Sequence, residues 1–162
     1  MSYYIKQQLI SMNRPKEKFI NLKGITIHST ANIGGTSLNH FNYWNNADRQ
    51  SSVHFIADWI GEEIYQFIPE NEIAWHTGSW QGNREWLGIE MCETAVKNQF
   101  EIVWNKTVWF VADLYIRKDQ HGLSPYIMIL IHYVTKHYHQ HSNCVIHKSA
   151  TNQTVLFHTI SN

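Results

Sequence analysis

Short apolar runs bounded by glycine and polar turns are the feature of this sequence that most constrains its fold. Residues 24–30 alternate isoleucine with polar residues, the period of two that is typical of a strand with one buried face. Residues 53–59 and 63–68 flank a short glycine-bearing segment, which predicts two strands joined by a tight turn. Residues 87–92 form a further short apolar run. These segments predict a β-sheet.

Helical spacing of apolar residues is found in two places. Residues 37–45 follow a glycine turn, and residues 103–120 form a longer helical pattern that is predicted to end at Gly122. Residues 125–131 fit either a buried strand or a helix, and periodicity does not decide between them. Because strands and helices interleave, the predicted fold is α/β, with a central mixed sheet flanked by helices.

A length of 162 residues predicts a single domain over 1–162, with residues 1–23 as an entry segment packed on it. The formal net charge of zero provides no basic surface for a polyanion, so nucleic acid is not an expected partner. The sequence shows no signal peptide and no membrane-spanning run, so membrane insertion is not expected. Cys92 and Cys144 permit one disulfide at most. Oligomeric state is not indicated.

Histidine is the residue type in excess, with eleven copies. His28 ends the first predicted strand, and His132 follows an apolar run that could form another. Two strands can thus bring imidazoles to one edge of a sheet, which is how a rigid zinc site is built. Six histidines and Cys144 lie in the segment from His121 to His147, and Zn²⁺ prefers such nitrogen and sulfur donors. Alternatively, these histidines belong to a solvated loop.

Glu90 is the single charge in the apolar run 87–92. Burial of a carboxylate costs several kcal/mol unless the group is paired or its pKa is raised. A glutamate with a raised pKa beside a metal can accept a proton from water and return it to a leaving amine. Alternatively, the period of two places Glu90 on the solvent face of an edge strand. The pattern alone favours neither interpretation.

Four segments, in order, resemble blocks of the zinc-dependent N-acetylmuramoyl-L-alanine amidases, which occur in phage endolysins and autolysins and are related to peptidoglycan-recognition proteins. They read GITIHSTAN at 24–32, SSVHFIAD at 51–58, EEIYQFIPENEIAWHTG at 62–78 and NREWLGIEMCE at 83–93. The AWHTG and GIE blocks, together with the histidine of the first strand, make the resemblance specific. It implies a Zn²⁺ enzyme that hydrolyses the amide bond between N-acetylmuramic acid and L-alanine in bacterial peptidoglycan.

The resemblance also implies roles for individual residues. His28 is expected to be the first zinc ligand, Glu90 the catalytic carboxylate, and His76 a residue near the substrate groove. Trp75, beside His76, is predicted to bind substrate. Further apolar walls for sugar or peptide could come from Trp59, Trp80 and Trp86.

The last block of the family usually reads like HYDVTGKNCP, and this chain departs from it. His132 begins the sequence HYVTK, and six more residues precede the Asn-Cys pair that ends at Cys144. The resemblance implies His132 and Cys144 as the remaining ligands. A competing alignment uses His147 as the second ligand, but Val155 then stands where the cysteine is expected and zinc lacks a donor.

Val53 stands where some relatives have a tyrosine that polarises the scissile carbonyl. That catalytic role is predicted for Lys136, with a histidine of segment 137–141 or zinc itself as alternatives. The resulting hypothesis is an endolysin or autolysin catalytic domain, made in the cytoplasm without a signal peptide and acting on the cell wall, with no separate wall-binding domain. The alternative is a degenerate module that binds peptidoglycan without catalysis.

Overall fold

The computed structural model describes residues 2–19 and 21–119, together with the backbone of residues 128–132, 143–149 and 152–160. Side chains are described as far as residue 117. In chain order the elements are β1 (Tyr4–Gln7), β2 (Gly24–Ser29), α1 (Ser37–Asn45), β3 (Phe55–Ala57), β4 (Glu63–Gln66), α2 (Trp80–Glu85), β5 (Trp86–Met91), α3 (Lys97–Asp119), β6 (Met128–His132), β7 (Asn143–Ser149) and β8 (Asn152–Ile160).

The first six strands form one mixed sheet in the order β1-β4-β3-β5-β2-β6, whereas β7 and β8 pair with each other as a separate antiparallel hairpin. Strands β3, β5, β2 and β6 run parallel to one another, so their carboxyl ends meet at one edge. Strand β4 returns antiparallel to β3, as the predicted turn requires. The predicted α/β fold with a central mixed sheet is confirmed.

The two faces of the sheet are covered by different helices. On one face, Ile25 and Ile89 pack with Phe110 and Leu114 of α3 in the larger apolar cluster. On the other face, Ile56 belongs to a second cluster that includes residues of α1. Each large apolar side chain buried in this way stabilises the fold by about 1.5–3 kcal/mol.

Strand β2 differs from its sequence prediction in one respect. The alternation of isoleucine with polar residues predicted one buried face, yet Thr26 is only 3% exposed and Ile25 only 1%. The reason is that β2 is a central strand, with β5 on one side, β6 on the other, and side chains packed on both faces. The pattern therefore identified a strand but not its central position.

Several other elements depart from the predicted bounds. The entry segment contains β1, which was not predicted and which pairs in parallel with β4. The long helix α3 begins at Lys97, earlier than expected, and its predicted cap at Gly122 lies outside the described residues. For residues 125–131, the described part, from residue 128 onward, is a strand.

Buried polar contacts fix the turn between β3 and β4. Lys106 of α3 is fully buried and donates hydrogen bonds to the carbonyl oxygens of Ile60, at 2.9 Å, and Glu63, at 3.0 Å. Asp58 accepts hydrogen bonds from the backbone of Ile60, at 3.0 Å, and of Ser37 at the start of α1, at 2.8 Å. These contacts give the buried charges polar partners and connect α1 and α3 to the hairpin of β3 and β4.

Cys92 is buried and forms no disulfide with any described residue. Among the described helices, none combines the length and the apolar character needed to cross a membrane.

Candidate active site

The carboxyl ends of three parallel strands bring the predicted site residues side by side. In the register of the sheet, His28 of β2 is paired with Glu90 of β5 on one side and with His132 of β6 on the other. Ligand sites in such sheets lie at the carboxyl ends of the strands. Residues from three separate parts of the sequence are therefore neighbours at the carboxyl edge of the sheet.

The alternation along β2 and β5 sets the face on which this site lies. Ile27 and Ile89 belong to the cluster that packs against α3. His28 and Glu90 follow them directly, so their side chains lie on the opposite face. Because β5 lies between β3 and β2, the alternative that placed Glu90 on an edge strand is wrong.

The carboxyl group of Glu90 is held in a protonation state unusual for glutamate. Its Oε2 atom is buried and has no hydrogen-bond partner among the described residues. Desolvation, followed by repulsion from Glu93, raises the pKa of Glu90 to about 8. A carboxyl group with a pKa near neutrality can both accept and donate a proton, as general acid–base catalysis requires.

His28 is connected to the AWHTG block by a hydrogen bond between two imidazoles. Its Nε2 lies 3.0 Å from Nδ1 of His76. The other ring nitrogen of His76, Nε2, lies 3.0 Å from the carbonyl oxygen of Trp86. Burial, followed by the neighbouring His54, lowers the pKa of His76 to about 3, so the ring is neutral at ordinary pH.

The ring of His76 lies directly over Gly88 in β5. A Cβ atom at position 88 would be only 2.8 Å from Nδ1 of His76, a distance that real Cβ contacts do not show. The amide of Gly88 donates to Nδ1 of His54 at 3.0 Å, and the rings of His54 and His76 meet edge to face. The glycine of the GIE block is therefore required by the imidazole above it.

Asn83 holds the backbone of the AWHTG block. Its Oδ1 accepts hydrogen bonds from the amides of His76, at 3.0 Å, and Thr77, at 2.9 Å, and from the hydroxyl of Thr77. The residue pattern predicted no role for Asn83 or for Gly88. The only sequence signal for them is their presence in the NREWLGIE block.

A cleft of about 530 Å³ opens beside His28. The described part of its wall carries hydroxyl groups, glycine backbone and aromatic rings but no carboxylate, lysine or arginine, and this suits a neutral polar ligand. The described lining residues are Thr26, His28, His76, Thr77, Gly78, Ser79, Gly82 and Trp86.

The tryptophans predicted to contact substrate lie in different surroundings. Trp75 is partly buried, exchanges backbone and hydroxyl hydrogen bonds with Ser52, and is not among the described residues that line the cleft. Trp86 does line it. Trp80 is 68% exposed, with the guanidinium of Arg84 4.2 Å from its ring centroid, whereas Trp59 packs against the core.

The predicted metal ligands lie only partly within the described side chains. The side chains of His132 and Cys144 lie outside them, although β6 and β7, which carry these residues, are in contact. Lys136 also lies outside them, and the backbone of His147 lies in β7. Within the described side chains, no group of three or more histidine, cysteine, aspartate or glutamate residues is arranged to hold a metal.

What is described nevertheless fits a zinc centre. The register brings two histidine positions to adjacent strands, and Glu90 beside them has a buried oxygen that lacks a described partner. Imidazole with a thiolate is a donor set that suits Zn²⁺. In metal sites a ligating histidine commonly donates its second ring N–H to an acceptor, as His28 can to His76.

A buried carboxyl group of raised pKa beside a histidine, at the carboxyl edge of parallel strands in an α/β fold, is typical of an enzyme active site. The chain belongs to the N-acetylmuramoyl-L-alanine amidase family, whose model matches residues 18–145. Among curated relatives, it is 45% identical over 75 residues to the amidase XlyA of Bacillus subtilis, covering 44% of this chain and 25% of XlyA. It is 33% identical over 121 residues to XlyB of the same organism, covering 70% of this chain and 37% of XlyB.

The chain thus matches only about a quarter to two fifths of the length of these relatives. Among solved structures, the catalytic domain of XlyA superposes with a TM-score of 0.65 at 33% identity, covering 79% of this chain and 83% of that one. The hydrolase AmiA of Staphylococcus aureus, solved with its ligand, gives a TM-score of 0.64 at 22% identity, covering 77% and 60%. This second match supports the fold alone.

The buried His54 yields a prediction about acid stability. Its ring donates to the carbonyl of Glu72 and accepts from Gly88, and desolvation lowers its pKa to about 4. The unfolded state, with a histidine pKa of 6.5, binds the proton first. We therefore expect the contribution of His54 to the free energy of unfolding to fall by about 3 kcal/mol as the pH drops from 6.5 to 4.

Nuclear magnetic resonance can follow this histidine directly. In the folded, metal-free protein the His54 ring resonance is expected to titrate near pH 4. In urea the same resonance should return to a midpoint of about 6.5, which serves as an internal control. A folded-state midpoint near 6.5 would show that the His54 ring is accessible to water in the folded protein.

Proposed function

We propose that this domain hydrolyses the amide bond between N-acetylmuramic acid and L-alanine in bacterial peptidoglycan, with Zn²⁺ as cofactor. The observation that carries the proposal is the strand register, which sets His28 between Glu90 and His132 at one edge of the sheet. Membership of the amidase family and the likeness to the catalytic domain of XlyA support the same activity.

His28, His132 and Cys144 are the residues that would hold the metal. When bound there, Zn²⁺ would supply Lewis acidity that makes water a better nucleophile and polarises the scissile carbonyl. Two donors from the paired strands β2 and β6 make a rigid site, because the sheet fixes their spacing.

Glu90 would move the proton. Its carboxylate accepts the proton of the attacking water, and its carboxylic acid then donates that proton to the amine of L-alanine as the amide bond breaks. Burial favours the protonated carboxyl group and so raises its pKa to about 8. Both the carboxylate and the carboxylic acid are therefore populated near neutral pH. Lys136 is proposed to assist by polarising the carbonyl.

The cleft beside His28 is proposed to bind the substrate next to the scissile bond. His76 and Trp86 form part of its wall, and its hydroxyl and glycine lining suits the neutral lactyl or N-acetyl groups of the sugar better than a charged group. We also propose Trp75 as a more distant contact with substrate.

The proposed setting is that of an endolysin or autolysin acting on the cell wall. One relative at 29% identity is named as an endolysin of the Staphylococcus phage Twort. Peptidoglycan is the proposed partner, and the matched relatives carry the name of the corresponding amidase.

Product analysis tests the proposal. The protein, supplied with one equivalent of Zn²⁺, is incubated with purified peptidoglycan, and the products are identified by mass spectrometry. We expect released stem peptides with a free L-alanine amino group, unchanged reducing sugar, and loss of release on chelation that Zn²⁺ reverses. Peptidoglycan binding without any release would instead favour the non-catalytic module, and new reducing ends would indicate glycan cleavage.

A further inference from the structure

We propose that His76 is a positioning residue that fixes the tautomer of His28. Two hydrogen bonds in series connect the carbonyl oxygen of Trp86, both ring nitrogens of His76, and Nε2 of His28. The arrangement leaves Nδ1 as the nitrogen of His28 that carries the lone pair for a metal. The metal part of this inference rests on the proposed function, whereas the tautomer itself does not.

The direction of each hydrogen bond follows from the carbonyl oxygen of Trp86, which is the last acceptor in the series. A carbonyl oxygen only accepts, so Nε2 of His76, 3.0 Å from the carbonyl of Trp86, must carry the hydrogen. A neutral imidazole has one N–H, so Nδ1 of His76 is an acceptor. The contact at 3.0 Å therefore requires His28 to donate from Nε2.

The ring of His76 is held against rotation and displacement. Its main-chain amide is held by Asn83, and its ring packs directly on the backbone of Gly88. His54 meets the ring edge to face, with centroids 5.5 Å apart, and binds the amide of Gly88. A flipped ring would place carbon atoms against both hydrogen-bond partners, so the surroundings select one orientation.

The acceptor for His28 is thus a neutral ring rather than a carboxylate. Outer partners of metal-bound histidines commonly fix the tautomer and orient the ring, and their loss lowers metal affinity by about 10–100-fold. A neutral acceptor orients the ring without adding negative charge beside the metal. His76 would therefore organise the site before any metal arrives.

The first measurement uses the wild-type, metal-free protein. Long-range ¹H–¹⁵N correlation spectra distinguish protonated from unprotonated ring nitrogens. At alkaline pH, where histidine is ordinarily neutral, we expect His28 and His76 both to carry hydrogen on Nε2 and none on Nδ1. A hydrogen on Nδ1 of His28, or a mixture of tautomers, would overturn the proposal without any variant.

The second measurement uses variants and Zn²⁺ alone, in competition with a chromogenic chelator. We expect His76→Leu to weaken Zn²⁺ binding by about 10–100-fold and His76→Asn, whose Oδ1 can stand near the lost Nδ1, to recover part of it. His40→Leu is the matched control, because His40 is also buried but its Nε2 has no hydrogen-bond partner among the described residues.

The outcomes separate this inference from the proposed function. A folded His76→Leu protein that retains wild-type Zn²⁺ affinity would overturn the metal part of the inference. A wild-type protein that binds no Zn²⁺ would contradict the proposed function, and the ring-nitrogen shifts of the metal-free protein would still decide the tautomer. If His76→Leu fails to fold, the wild-type spectra still decide the tautomer of His28.

Discussion

Replacement of Glu90 by glutamine is expected to lower the rate of peptidoglycan hydrolysis by about 10²–10⁴-fold while the Zn²⁺ content stays unchanged. Glutamine has nearly the same size as glutamate but cannot accept and return a proton. Release of stem peptides, followed by mass spectrometry, and metal analysis of the same sample measure the two quantities. Loss of both together would place Glu90 among the metal ligands instead.

The same variant should change the pH dependence of stability in the metal-free protein. Desolvation raises the pKa of Glu90 from 4.5 to about 8, so between these values the folded state binds the proton more tightly than the unfolded state. The contribution of this proton binding to the free energy of unfolding is therefore fully present below pH 4.5 and is lost as the pH rises toward 8. Glutamine has no such dependence.

Urea unfolding at several pH values tests this sign. We expect Glu90→Gln to gain stability relative to the wild type as the pH rises from 5 to 8, by up to about 3 kcal/mol after allowance for partial solvent exposure. Glu101→Gln, at an exposed position of α3, is the matched control and should alter neither activity nor this slope. A stability difference that is constant with pH would contradict the burial of the Glu90 carboxyl group.

The positions of His28 and Glu90 could be anticipated because they depend on short-range patterns. Each residue follows an isoleucine in a strand-length apolar run, and alternation then fixes the face on which it lies. The resemblance to the amidases supplied what the pattern did not, namely the expectation that His28 and Glu90 act in one site. Thr26 shows the limit of the pattern, since its burial depends on neighbouring strands.

The contacts around His76 could not be anticipated in this way. His28 and His76 are 48 positions apart in the sequence, and Gly88 and His54 are 34 apart, so no local period connects them. Strand β1 was missed for a similar reason, since only its pairing with β4 makes it a strand. These features depend on long-range packing, whereas residues 37–45 form a helix as their local spacing predicted.

Residues 125–131 fit either a helix or a strand on sequence alone, because every position is apolar or weakly polar. An apolar run without alternation is typical of a strand covered on both faces, but it also fits a buried helix. The described part becomes β6, which pairs with β2 along its whole length. This pairing, which the sequence alone could not supply, is what brings His132 beside His28.

Replacement of His28 by alanine is expected to remove both the metal and the activity. A site that loses one of three ligands should fall from about one Zn²⁺ per chain to well below that, and hydrolysis should fall by about 10³-fold or more, because the Lewis acid contributes several kcal/mol to catalysis. His40→Ala is the matched control, since it removes a buried histidine of α1 that is not among the described residues lining the cleft.

Added imidazole separates a ligand role from a structural one. Truncation at position 28 leaves a space that opens on the cleft, so free imidazole can enter and supply the missing nitrogen. We expect partial recovery of Zn²⁺ content and of hydrolysis in His28→Ala with imidazole, and none in Glu90→Gln, whose defect is in proton transfer. A folded His28→Ala protein that keeps stoichiometric Zn²⁺ without imidazole would exclude His28 as a ligand and remove the basis of the proposed metal site.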